Sequence, residues 1–387
     1  MTSPGRVTSP EGASLRVPQG ETPISNTAAR EQKILGIIEK TRAKQGKFRD
    51  AKVTMAHGAG GKATQSMIEG LFLPAFGSGT LEAMADAGAV RVGGVGGIEM
   101  CMTTDTFVVK PMRFPGGSIG ELAVNGTVND LAMAGARPQA ITVGLVLEEG
   151  LSADDLRAEV EAIALAAAAA GVEIVAGDTK VVERGHCDGM YICTTGIGER
   201  DPRAQLSPAA CRGGDKLIVS GPIGEHGTAI MLARGEFELD AEIESDTCCL
   251  WPAVDALLDA AGPGLHCLRD ATRGGVASVL NELARASEVA MIVREAEVPV
   301  RPDVAGAAEI LGIDPMYVAN EGRLVAAVAP DHAEAALAAL RGVPGCEQAT
   351  VIGEVREDPP GMVLVATAFG GRRVMDQLVG DPLPRIC

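Results

Sequence analysis

Aromatic side chains are scarce: one Trp, two Tyr and seven Phe make up 3% of 387 residues. The cores must therefore be filled by small aliphatic side chains, and a hydrophobic fraction of 46% supplies enough of them. Basic charge is also short. Against 51 Asp and Glu there are only 34 Lys and Arg, a net charge of −17. That balance excludes generic nucleic-acid binding, which needs a cationic surface. No apolar run is long enough for a membrane span. The most apolar window, AIALAAAAAGV at 162–172, is short and lies between Glu161 and Glu173. The N-terminus lacks the apolar core of a signal peptide. The nine cysteines are odd in number and contain no CxxC pair. In a chain this long, that reads as a reducing cytoplasm rather than a disulfide framework.

Glycine, by contrast, is abundant, at 49 residues. Clustered glycines mean tight turns and backbone that approaches something closely. HGAGGK at 57–62 precedes a helical pattern and offers successive N–H groups (Gly58, Gly60, Gly61, with Lys62 after them) that can bind phosphate. It is not a Walker loop, because G-x-x-x-x-G-K-[ST] is absent. GPIGEHG at 221–227 is a second loop of this kind. A plain strand-to-helix turn explains either loop equally well.

Residues 1–28 are rich in Pro, Ser, Thr and Gly and read as disordered. Residues 29–47 suit a short helix or belong to the same extension. From 53 onward strands and helices alternate, with strands expected at 96–109, 139–147, 171–182, 189–199, 297–300, 349–355 and 362–368 and an alanine-rich helix at 152–170 whose start, Ser-Ala-Asp-Asp, has the N-cap signature. A boundary is expected near 200–212. The expected organisation is an extension at 1–50, a domain at 51–205, a second at 206–378 and a tail at 379–387, in an α/β (α+β) fold.

Asp105, Asp130, Asp178 and Asp270 share one context: strand ends or helix positions beside Gly and Asn, in TTDT, VNDLAM, AGDTK and LRDATRGG. Asp often caps helices and turns. Several carboxylates converging from separate strands also suit Mg²⁺, a hard cation usually shared with a substrate phosphate. Lys180, after GDT, can neutralise phosphate or move a proton if its pKa is lowered, or be an ordinary surface lysine. Glu321 in ANEGR is a candidate general base, or a turn carboxylate. The five histidines and the HC pairs lack the spacing of a zinc site. The sequence ends in PLPRIC, where Pro382 and Pro384 favour an extended segment presenting Cys387. A thiol beside its own carboxylate is not activated, which suits a group carrier better than a self-sufficient nucleophile.

MAHGAGGKA, TTDTFVV, FPGGSIGELAVNGTVNDLAMAGARP, GDTKVVERG, RDATRGGV, ANEGRL, IGEV and PLPRIC stand in the order found in the hydrogenase maturation factor HypE family, and the resemblance runs from Val53 to Cys387. Residues 1–50 fall outside it. The resemblance implies a two-domain synthetase-like fold shared with aminoimidazole ribonucleotide synthetase, selenophosphate synthetase and thiamine-monophosphate kinase. It implies a homodimer whose N-terminal domains build an intersubunit β-barrel. It further implies an ATP-dependent carbamoyl dehydratase, loaded on its terminal Cys387 by a HypF-type carbamoyltransferase. The S-carboxamide becomes an S-cyanide, delivered to a HypC–HypD scaffold for the iron centre of [NiFe]-hydrogenase. On this resemblance Asp105, Asp130, Asp178 and Asp270 are metal positions. Gly58, Gly60, Gly61, Lys62, Asn125, Asn129, Asp178, Thr179 and Lys180 bind the nucleotide, and Cys387, Glu321 and Lys180 carry the chemistry. Rival readings are another ATP enzyme of the superfamily or a non-enzymatic carrier.

Overall fold

The computed structural model describes residues 48, 50–76, 79–93, 97–235, 242–367, 370–378 and 387. The helix expected at 29–47 and the proline-stiffened stretch 379–386 lie outside the described residues.

After the glycine loop, helix α1 (Lys62–Met67) runs through a π-helical turn (Ile68–Phe72) into α2 (Leu73–Phe76), followed by α3 (Gly79–Glu82). Strands β1 (Gly88–Val92) and β2 (Ile98–Phe107) come next. A two-residue ribbon of β3 (Arg113–Phe114) and β4 (Gly117–Ser118) leads into α4 (Ile119–Met133). Then follow β5 (Ala136–Glu148), α5 (Ala153–Ala170), β6 (Glu173–Val182) and β7 (Met190–Arg200). The cap read from Ser152 forms: its Oγ accepts the Asp154 N–H at 3.2 Å, and Gly171 closes α5 at φ +70°. These strands form one sheet, ordered β1-β2-β7-β5-β6, antiparallel except for the parallel β5–β6 pair. Helices α4 and α5 cover one face of it, where Ile119, Leu122, Ile163 and Ile192 form the core. Strand β6 is exposed along nearly its whole length.

The second half contains β8 (Lys216–Val219), α6 (Glu225–Ala233), α7 (Trp251–Ala261), β9 (Leu265–Asp270), α8 (Gly275–Ala286) and β10 (Ala290–Arg294). It continues with α9 (Pro302–Leu311), β11 (Leu324–Val328), α10 (Pro330–Arg341), β12 (Thr350–Arg356), β13 (Met362–Ala366) and β14 (Arg372–Met375). Its sheet is ordered β14-β13-β10-β12-β8-β11-β9, with β10–β13 the parallel pair. Helix α8 packs on one face; α7 and α10 pack on the other. Strand β11, LVAAV, is therefore buried at every residue. Ala132 and Met133 from the end of α4 join the core around α7, so this helix belongs to both halves.

The expected strand at 297–300 is not one. The strand is β10, one segment earlier, and Glu295–Glu297 is a 3-10 turn. Pro299 and the surrounding glutamates break the ladder that Val298 and Val300 suggested.

Candidate functional site

A cavity of about 290 Å³ opens where the two halves meet. Its walls come from elements distant in sequence. Asp105 and Phe107 lie at the end of β2, and Gly126 and Asp130 lie on α4. Arg269 and Asp270 end β9, and Arg273 follows in the turn before α8. Glu321 stands in the turn before β11, the glycine loop contributes Gly60, and α1 contributes Thr64. Glycine at 126 is required, since a Cβ there would lie 2.8 Å from the Phe107 ring.

Within this cavity, Asp86, Asp130 and Asp270 each offer a carboxylate oxygen, all within 4.8 Å of one another. Burial, followed by the charges of Asp105, Asp270 and Asp86, pushes the Asp130 carboxyl well above its usual range. Asp270 is pushed up to about 8, first by burial and then by Asp86. Asp105 is raised by burial, with Arg273 opposing. Three crowded carboxylates that resist simultaneous ionisation form a donor set that a hard divalent cation satisfies. Thr103 Oγ1 donates to Asp130 Oδ2 at 2.7 Å, and Arg269 clamps Asp86 and Glu282 at 3.0 Å each.

Glu321 faces the same space. Its Oε1 is buried with no hydrogen-bond partner among the described residues. Burial, then Asp270, Asp246 and Asp105, push its carboxyl well above the ordinary range. Cys387 also lines the cavity; an oxygen of its terminal carboxylate accepts the Val108 N–H at 3.1 Å, beside the end of β2. The guanidinium of Arg273 is held protonated first by the charge at Cys387, and it donates to the Gly58 carbonyl at 3.1 Å. Arg273 thus ties the glycine loop, the carboxylates and Cys387 together.

Other expected site residues lie elsewhere. Asp178 and Lys180 pair with each other at 2.6 Å on exposed β6, with side chains 71% and 69% exposed, and Thr179 N–H closes on Asp178 at 2.8 Å. Lys180 holds the Asp178 carboxyl below its usual range by its hydrogen bond. None of the three lines the cavity within one chain. Lys62 pairs with Asp376 at 2.5 Å and its N–H donates to the Leu378 carbonyl, while a Cβ on Gly61 would lie 2.6 Å from that carbonyl. Asn125 donates to Thr247 Oγ1 at 3.2 Å. Asn129 accepts the Leu250 N–H at 2.7 Å and donates to the Cys248 carbonyl at 2.9 Å. Both asparagines are spent on the segment 245–250.

Sequence reasoning missed Asp86, Arg269, Arg273, Glu282 and Asp246. Arg269 and Arg273 flank Asp270 in LRDATRGG, so their placement was available from that segment. Asp86, in MADAG ahead of β1, repeats the Asp-with-small-residue context of the other three. Nothing in the sequence marks Asp246.

The family description "AIR synthase related protein, N-terminal domain" matches residues 84–200, and its C-terminal counterpart matches 212–365. The chain is 46% identical over 340 residues to carbamoyl dehydratase HypE of Rhodobacter capsulatus, covering 88% of this chain and 99% of that one. A crystal structure of hydrogenase maturation protein HypE in complex with ATP aligns with a TM-score of 0.72 at 43% identity, over 87% of this chain and 100% of the other. A crystal structure of a HypE–HypF complex aligns with a TM-score of 0.76 at 42% identity, over 81% of this chain and 99% of the other.

Proposed function

The chain belongs to the carbamoyl dehydratase HypE family, and on that premise we propose that it converts an S-carboxamide on Cys387 to an S-cyanide at the expense of ATP. The observation that carries the reading is the position of Cys387 in a cavity that also holds three clustered carboxylates, Arg273 and the buried Glu321. Losing oxygen from a primary amide is hard because oxide is a poor leaving group. Transfer of the γ-phosphoryl group of ATP to the amide oxygen releases ADP and makes phosphate the leaving group. Loss of both nitrogen protons and of phosphate then leaves the nitrile, for a net removal of one water. Phosphoryl transfer asks a protein mainly for positioning and charge stabilisation.

In this reading Asp86, Asp130 and Asp270, with Asp105 beside them, would hold Mg²⁺, which supplies charge neutralisation to the phosphates. Arg273 would meet the phosphates, with the glycine loop of Gly58, Gly60 and Gly61 beside it; Gly60 lines the cavity, and its N–H would have to give up Thr64 Oγ1, to which it donates at 3.1 Å. Glu321 accepts a proton from the amide nitrogen. The exposed strand β6, with Asp178, Thr179 and Lys180, belongs to the surface that a second copy would cover in a homodimer with a shared barrel. Lys180 and Lys62 would handle phosphate charge only after giving up Asp178 and Asp376. A HypF-type carbamoyltransferase would load the thiol and a HypC–HypD scaffold would accept the cyanide. No described helix is long and apolar enough to cross a membrane. A cytoplasmic setting suits a reduced thiol that acts as a carrier.

Intact-mass measurement of carbamoylated protein tests this reading. Incubation with ATP and Mg²⁺ is expected to remove the mass of one water at Cys387, and omission of either is expected to prevent it. An unchanged mass with both present would favour a passive carrier.

A further inference from the structure

Glu321 sits in a turn, yet its carboxyl points into the cavity with an unpartnered oxygen, so something must hold the turn. Asp246 does so from a different segment. Its Oδ1 accepts the Glu321 N–H at 3.0 Å and its Oδ2 accepts the Gly322 N–H at 3.3 Å. The side chain has no exposed surface, and Arg323 Nε lies 3.7 Å away as its counter-charge. Arg323 is itself fixed, donating to Glu225 at 2.8 Å and to the Pro222 carbonyl at 2.8 Å. The two segments interlock, because a Cβ on Gly322 would collide with the Asp246 carbonyl. The Asp246 segment is in turn stitched to the first half. Ser245 N–H donates to the Pro115 carbonyl at 2.8 Å, and Asn129 takes Cys248 and Leu250 on its amide. Asn129 Nδ2 also reaches the Glu321 carbonyl at 3.4 Å.

We propose that Asp246 is the positioning residue of the reaction, aiming the Glu321 carboxyl into the cavity by accepting two successive N–H groups of its turn. A carboxyl group that accepts on both oxygens fixes the plane of the turn; burial raises its pKa, and the Arg323 charge and the two N–H donors oppose that rise. Through Asn129 and the 245–250 segment, the orientation of a second-half carboxyl becomes tied to α4, which carries Asp130. The two ends of the reaction, phosphoryl transfer at the carboxylate trio and proton removal at Glu321, are thereby kept in one register.

The inference rests on the reading of Glu321 as base, and the test separates the two. Single turnover of carbamoylated protein at saturating Mg²⁺–ATP is measured for Asp246→Asn, Glu321→Gln and the double variant. Asp246→Asn keeps one acceptor oxygen and loses the other. It is expected to slow dehydration by roughly a hundredfold, the order of a misplaced catalytic group, with ATP affinity within about twofold of the parent. The double variant is expected to be no slower than Glu321→Gln alone, because both changes remove one function. A dead Glu321→Gln with a full-rate Asp246→Asn, or effects that multiply in the double variant, would overturn the positioning role alone. A full-rate Glu321→Gln would remove the base reading and this inference with it. Should Asp246→Asn fail to fold, amide hydrogen exchange on the unmutated protein decides. Protected Glu321 and Gly322 amides are expected, and free exchange at both would sink the proposal.

Discussion

Asp130→Asn is expected to lower ATP-dependent turnover at least about a hundredfold, the order seen when a transition-state charge stabiliser is removed, while raising the melting temperature of the metal-free protein. The two effects have one cause. Asp130 has three like-charged neighbours in the cavity, Asp105, Asp270 and Asp86, on top of its burial, and no cation among the causes opposing them. An amide of the same shape can still accept from Thr103 but no longer repels them. The stability sign follows from proton linkage. For Asp270 and Asp130 the folded-state pKa lies above the unfolded value. Their contribution is therefore fully present below about pH 4 and is lost as pH rises, for Asp270 through about 8. Each group that keeps its proton only in the folded state costs about 1.4 kcal/mol per pH unit across that window. The metal-free protein should thus melt lower at pH 8 than at pH 5, and Asp130→Asn should flatten the decline. Mg²⁺ must displace the Asp270 proton, so its stabilising effect should grow with pH up to about 8. Scanning fluorimetry across pH, with and without Mg²⁺, checks all three. A metal-free Asp130→Asn protein that melts lower than its parent would show that the trio is not under repulsion.

How much of this could be read from the sequence depends on the scale at which each residue works. Asp105, Asp130 and Asp270 were legible because a carboxylate among glycines at the end of a strand or on a polar helix turn carries its context with it. Asp178 has the same local context but a different fate. Its strand is the last in the order β1-β2-β7-β5-β6, and sheet order is a property of pairing, which no local window contains. Asn125 and Asn129 lie one turn apart on α4, and their amides are engaged by residues 247–250, more than a hundred positions away. Sequence separation also hid Asp246, which acts on the backbone of a turn 75 residues later. AMIVR at 290–294 and EVPV at 297–300 are both too short for alternation to decide between them, and the strand is the first. Burial on both faces of a seven-stranded sheet decided the matter.

Glu321→Gln is expected to slow dehydration of the carbamoylated protein by about 10²- to 10⁴-fold, the usual worth of a general base, and to leave ATP affinity within a few-fold. The expectation rests on where the proton sits before reaction. Burial is the first cause of the raised Glu321 pKa, and Asp270, Asp246 and Asp105 add to it against Arg273. In the unliganded protein, burial and these carboxylates favour the protonated carboxyl and oppose its action as a base. Once the neighbouring carboxylates are neutralised, the share due to Asp270 and Asp105 falls away, while burial and Asp246 remain. If Glu321 is the base, loading of the cavity is therefore expected to make it a readier proton acceptor. The parent rate should consequently rise with pH on its acid side as Glu321 ionises, and this limb should vanish from the residual rate of Glu321→Gln. Single-turnover mass measurements across pH read both quantities at once. An unchanged acid limb in the variant would assign the base to another group, and a full rate would remove Glu321 from the chemistry altogether.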